Sequence, residues 1–244
     1  AERIEMADEA HRRETGEGYQ AIVLIGHGAG GLILRKAYLD AAAIGPDGER
    51  RQDIRPMAWV QALDRLVLLA SLNRGIILAR SEQASLLRHL VNRLGLALLP
   101  LLNLCGQAHL VAELRQGTRF VSNLRIRWIR ASQSPDLMLA PVIQILGSCD
   151  SVVRAKDNLD VINDAGFRFL RLIETDHHSI LDFRQQDEGL GAYRWRKFCY
   201  ALEHPIADFE SDDIADDDEH MQVRLHSVPL HDKACAIGLS LQQL

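Results

Sequence analysis

The sequence predicts an α/β fold, a sheet whose strands are joined by helical crossovers. Three observations carry that expectation. Four short apolar runs, at 21–25, 65–71, 141–147 and 167–173, are separated by long stretches between them. The second of these, Arg65-Leu66-Val67-Leu68-Leu69-Ala70-Ser71, is continuously apolar rather than alternating, which is the pattern of a parallel strand covered on both faces. The intervening stretches have helical period, as crossover connections require.

In chain order, the first sixteen residues read as a charged helix stopped by Gly16 and Gly18. The strand Ala21 to Ile25 follows, then a helix from Leu32 to about Ala43 and a polar loop over 45–53. Residues 81–115 have helical period, with Leu86, Leu87, Leu90, Val91 and Leu94 forming one apolar stripe. Trp128 and the arginines Arg119, Arg125, Arg127 and Arg130 fit either a solvated strand face or a surface for an anionic partner. A last helix is expected over Gly191 to Leu202, with Tyr193, Trp195 and Phe198 turned to the sheet. These elements make one α/β domain over 1–204. Residues 205–220 read as an acidic linker, because eight acids and no base fall between Asp208 and Glu219. The tail 221–244 turns apolar again, as a further segment would.

Bulk properties narrow the function classes. The 244 residues are 47% hydrophobic and 25% charged, enough for a well-buried core. A net charge of -5 argues against a dedicated nucleic-acid binder. Cys105, Cys149, Cys199 and Cys235 are far apart and form no C-x-x-C pair, so reduced, mostly buried thiols in a cytoplasmic protein are expected, with no metal site. The apolar run 95–104 is about half a bilayer span and is broken by Pro100, so no transmembrane segment is expected. Residues 1–13 are charged and do not read as a signal peptide.

The segment Gly26-His27-Gly28-Ala29-Gly30-Gly31 admits two chemistries. As G-x-G-x-x-G (Gly26, Gly28, Gly31) it is a dinucleotide-binding turn, which implies an oxidoreductase. That reading needs an acid-ended strand about twenty residues on, to hold the ribose. The acids near that distance, Glu49 and Asp53, lie in a polar loop, so no cofactor is expected. As G-x-S-x-G the same segment is a nucleophile elbow with Gly28 at the serine position. The elbow reading finds an acid after the third strand, Asp150, and histidines after the fourth, His177 and His178, in the chain order that such a site requires.

These pieces, with Leu68 to Gly75 after the second strand and Glu113 to Phe120, cover roughly residues 18–185. Together they resemble the α/β-hydrolase superfamily, in particular lipase-like serine esterases of the kind that includes the GPI inositol-deacylase relatives. The family pattern G-H-S-x-G-G has serine where this chain has Gly28. The resemblance implies a mostly parallel sheet with a helical cap, here about 76–135, and further strands ahead of the elbow that this sequence lacks. It also implies an acyl-ester substrate, small or lipid-like, with Asp150 orienting the base, His178 as that base, and the Ala29 amide in the oxyanion hole. His27 is then a packing residue beneath the elbow, and His177 a neighbour facing solvent. With no hydroxyl at 28 no acyl-enzyme forms, so the domain is expected to be an inactive hydrolase as given. Either the serine was replaced, or the chain is a natural pseudoenzyme that binds or scaffolds. A protein partner is left open, through the missing strands or the acidic 208–219 segment.

Overall fold

A computed structural model of the chain describes residues 1–75, 113–150, 152–153, 166–183 and 189–209. The described elements are α1 (Glu2–Thr15), β1 (Ile22–His27), α2 (Ala29–Ala41), β2 (Leu63–Leu69), α3 (Arg119–Gln133), β3 (Val142–Gly147), β4 (Phe167–Leu172) and α4 (Gly189–Glu203). The four strands form one sheet in the order β1-β2-β3-β4, and every neighbouring pair is parallel. The architecture is therefore α/β, as the apolar runs predict.

Helices cover both faces of the sheet, which explains why β2 is continuously apolar from Leu66 to Leu69 and β3 is apolar apart from Gln144. Leu66, Leu68, Val142 and Leu146 point to one side, into a cluster with Leu32 and Leu39 of α2 and Val121, Leu124 and Trp128 of α3. Val67, Leu69, Ile143 and Ile145 point to the other, where Ala201, Phe198 and Leu202 of α4 meet them. Burying each such side chain contributes about 1.5–3 kcal/mol. Buried Arg65, at the start of β2, donates from Nη1 to the carbonyls of Ala201 (3.1 Å) and His204 (2.6 Å). It thereby satisfies the carbonyl end of α4 with a positive charge.

α1 ends at Gly16 in the left-handed conformation (φ 86°), the stop that glycine there predicts. α2 begins at Ala29, three residues before the expected Leu32, because the glycine turn is itself the first helical turn. α3 corrects the strand reading of its arginines. The stretch Leu124-Arg125-Ile126-Arg127-Trp128 alternates apolar and charged residues like a strand, yet Val121, Leu124, Trp128 and Ala131 share one buried helical face. Arg127 on this helix pairs with Asp40 of α2 at 2.7 Å, and Arg35 of α2 lies 5.0 Å from the Trp128 ring centroid. This part of the expected cap thus packs into the body of the domain. Residues 76–112, including the leucine stripe and the run 95–104, lie outside the described residues, as do Cys105, Cys235 and the tail 221–244. Cys149 is exposed and Cys199 half-buried, contrary to the expectation of mostly buried thiols. Packing also continues past residue 204: Ile206–Asp208 form a short 3-10 turn and Phe209 is buried against the α4 side of the sheet.

Candidate active site

Parallel strands deliver their C-terminal ends to one edge of the sheet, and the candidate residues sit on the loops leaving that edge. The turn after β1 holds Gly28 at φ 54°, ψ -122°, a conformation that L side chains adopt only under strain. Gly28 is fixed from both sides: its N–H donates to the Leu69 carbonyl (3.0 Å) and its carbonyl accepts from the Leu72 amide (3.2 Å). Two other glycines in the turn serve close packing. A Cβ on Gly26 would meet Leu34 Cδ1 at 2.8 Å, and one on Gly31 would overlap Ser71 Oγ at 1.9 Å. The G-x-G-x-x-G spacing here follows from a helix lying tightly on its own strand and on the end of β2.

Beneath that turn runs a buried polar chain that the sequence did not reveal. Ser71 Oγ donates to Asn73 Oδ1 (2.8 Å), and Asn73 Nδ2 donates to Gln144 Oε1 (2.7 Å). All three side chains are buried, and Gln144 sits mid-strand in β3. A buried amide chain of this kind is stabilising only when its members are paired, so it specifies where the loop after β2 lies against α2.

Asp150 leaves the end of β3. Its Oδ1 accepts the amides of Val152 (2.8 Å) and Val153 (2.7 Å), and its Oδ2 lies 3.2 Å from Nδ1 of His177. Its side chain is fully buried. His177, not His178, is therefore the histidine that meets the acid. The loop after β4 explains why: Thr175 and His177 are buried, Asp176 is half-buried, and His178, in the turn that enters the 3-10 helix Ser179–Leu181 (φ -97°, ψ -44°), is exposed. His178 is exposed, its ring edge-on to that of His177 at 5.5 Å between centroids. Asp176 braces the loop by accepting the amides of His178 (2.8 Å) and Ser179 (2.7 Å). Burial works to raise the Asp176 carboxyl, but these two amides and the Ser179 hydroxyl outweigh it and hold the group below the usual carboxylate range.

The His177 tautomer follows from its neighbours. A carboxylate only accepts, so Nδ1 carries the hydrogen and the neutral ring presents a lone pair at Nε2. Nε2 faces Gly28: a Cβ built on that glycine lies 3.4 Å from Nε2 and 3.5 Å from Cε1, and no other described residue outside its chain neighbours comes within 4 Å. His27 braces the same ring from below. Its Nε2–H donates to the His177 carbonyl (2.9 Å), and the two rings stand 4.6 Å apart. Burial pushes the His27 imidazole down from its ordinary value, and the neighbouring His177 and His178 rings disfavour its protonation further, against the His177 carbonyl and Asp150.

Ala29 heads α2, where first-turn amides have no intrahelical acceptor. The acids weighed for a ribose are engaged elsewhere: Glu49 accepts from Ser134 Oγ (3.1 Å) and Asp53 pairs with Arg51 (2.6 Å). Among the described residues no three His, Cys, Asp or Glu side chains converge as a metal site would need, and no helix is long and apolar enough to cross a membrane.

Several solved structures are similar to the chain, two of them as follows. No protein-family model matches the chain, and no characterised protein sequence matches it. The monoacylglycerol lipase of Paleococcus ferrophilus is similar over 82% of this chain and 74% of its own, at 14% identity and a TM-score of 0.40. The peroxisomal α/β-hydrolase Lpx1 of Saccharomyces cerevisiae is similar over 92% of this chain, at 10% identity and a TM-score of 0.35. The chain spans 64% of the length of Lpx1.

Proposed function

We infer that this chain carries the active-site frame of an α/β-hydrolase-type carboxylic-ester hydrolase, with glycine at the nucleophile position. One observation carries the reading: the Cβ direction of Gly28 aims at Nε2 of a histidine whose Nδ1–H is held by a buried aspartate. A serine side chain there would bring its hydroxyl within hydrogen-bond reach of that lone pair, which is the relation a general base needs. Asp150 fixes the tautomer and stabilises the imidazolium that forms. The Ala29 amide, at the positive end of α2, supplies an oxyanion donor. The substrate class is an acyl ester, because these groups serve attack on a carbonyl followed by protonation of an alkoxide leaving group.

Glycine at 28 closes the covalent route, since no hydroxyl is present to be acylated. Restoring it tests the reading. Gly28→Ser is expected to hydrolyse p-nitrophenyl butyrate at least about a hundredfold faster than the parent chain, as positioned acid–base groups contribute 10²–10⁴-fold. A folded Gly28→Ser protein with parent-level turnover would favour a binding or scaffold role for the domain instead.

A further inference from the structure

The same site holds the parts of a second, non-covalent route, and this inference rests on the hydrolase reading above. Among the described residues, and apart from Gly28 and its two chain neighbours, the atoms within 4 Å of a Cβ placed on Gly28 belong to the His177 ring, Nε2 at 3.4 Å and Cε1 at 3.5 Å. Those neighbours aside, no other side chain among the described residues comes within 4 Å of that position, and a water placed there would lie against a lone pair whose tautomer is set by Asp150. We propose that the chain as it stands hydrolyses small activated acyl esters by direct attack of this water, with the His177–Asp150 pair as general base.

The step balances without any further reactant. The water oxygen bonds to the ester carbonyl carbon while one of its protons passes to His177 Nε2. The carbonyl π electrons move onto oxygen, where the Ala29 N–H meets the developing charge. The tetrahedral species then collapses, the bond to the leaving alkoxide or phenoxide breaks, and that oxygen takes the proton back from His177. The products are a carboxylic acid and an alcohol, and no covalent bond to the protein forms at any stage. Glycine is essential to this route in a way alanine is not, because a methyl group at 28 fills the position the water needs.

In hydrolases whose triad is broken, much of the residual rate comes from oxyanion donors and substrate binding, and removing the histidine then costs little more. That sets the alternative the experiment must exclude. Turnover of p-nitrophenyl acetate is measured for the parent, His177→Gln, Gly28→Ala and His178→Ala, with circular dichroism to establish folding. The water route predicts that His177→Gln and Gly28→Ala each lose about tenfold or more while His178→Ala stays within about twofold. It also predicts a normal solvent isotope effect in the parent that His177→Gln lacks. Equal rates for the parent and His177→Gln overturn it, as does a Gly28→Ala rate at or above that of the parent. If Gly28→Ser gains covalent turnover while the parent equals His177→Gln, the water route fails and the hydrolase frame stands. If Gly28→Ser is also silent, both fall.

Discussion

His177 Nδ1 and Asp150 Oδ2 stand 3.2 Å apart, joining the loops that leave β3 and β4. The contact is held by backbone latches as much as by the side chains. Ser148 N–H donates to the Leu172 carbonyl (2.8 Å) and Cys149 N–H to the Thr175 carbonyl (3.0 Å), so the acid loop and the histidine loop move as one piece.

Asp150→Asn in the Gly28→Ser background is expected to lower ester turnover by about 10³–10⁴-fold with little loss of fold. The asparagine oxygen still accepts the Val152 and Val153 amides, which turns its NH2 toward Nδ1 and forces the imidazole into the wrong tautomer. Steady-state kinetics check it, and activity retained within tenfold would show that the pair does not act as a unit.

The assignment of the base to His177 is separable from its neighbour. In the Gly28→Ser protein, His177→Ala is expected to abolish turnover and His178→Ala to leave it within a few-fold, because His177 Nδ1 lies 3.2 Å from Asp150 Oδ2 whereas His178 is exposed. The reverse ranking would restore the base expected from the sequence.

Gly147→Ala is expected to destabilise the domain by about 2–4 kcal/mol or more in urea unfolding. A Cβ there would sit 2.1 Å from the Thr175 carbonyl oxygen, backbone that has no room to withdraw without carrying His177 with it. Stability within 0.5 kcal/mol of the parent, as an order of magnitude for a neutral surface change, would mean that the two loops are not packed as described.

Removing Asn73 tests the polar chain under the turn. Asn73→Ala leaves Ser71 and the buried Gln144 short of a partner and is expected to cost about 1–3 kcal/mol. Adding Gln144→Leu should recover part of that loss, so a double-mutant cycle is expected to show coupling of at least about 0.5 kcal/mol. Strict additivity would count against the network.

Lowering pH should expose the burial of His27. Its folded pKa lies below the ordinary 6.5, so the unfolded chain takes up the proton first. Stability from the neutral ring is complete above about pH 6.5 and falls as pH drops from there toward the lowered value. The Tm of the parent should therefore fall more steeply below about pH 6.5 than that of His27→Asn. Identical Tm–pH slopes would contradict the burial of this ring.

The sheet was legible because parallel strands buried on both faces are predominantly apolar, as Leu66 to Leu69 of β2 and all of β3 but Gln144 are. Gly28 and Asp150 were legible because a strand-to-helix turn and a strand end have local signatures. The choice between His177 and His178 was not. It depends on how the turn after β4 presents the two rings, and that turn is held by Cys149 N–H on the Thr175 carbonyl, a contact between loops distant in sequence. α3 reads as a strand because Arg125 and Arg127 alternate with Leu124, Ile126 and Trp128, a local pattern that tertiary packing of Trp128 and Ala131 overrides. The Ser71–Asn73–Gln144 chain left no sequence signal, since a lone glutamine in a strand reads equally well as a surface residue.

On the proposed function, position 28 faces a base able to activate a nucleophile. The most direct measurement is intact-mass analysis of purified Gly28→Ser after exposure to a fluorophosphonate, with the adduct mapped by peptide sequencing. One adduct per chain on residue 28, lost on His177→Ala and kept on His178→Ala, is the predicted result. A folded Gly28→Ser protein that takes no adduct, or one labelled equally well without His177, would contradict the account.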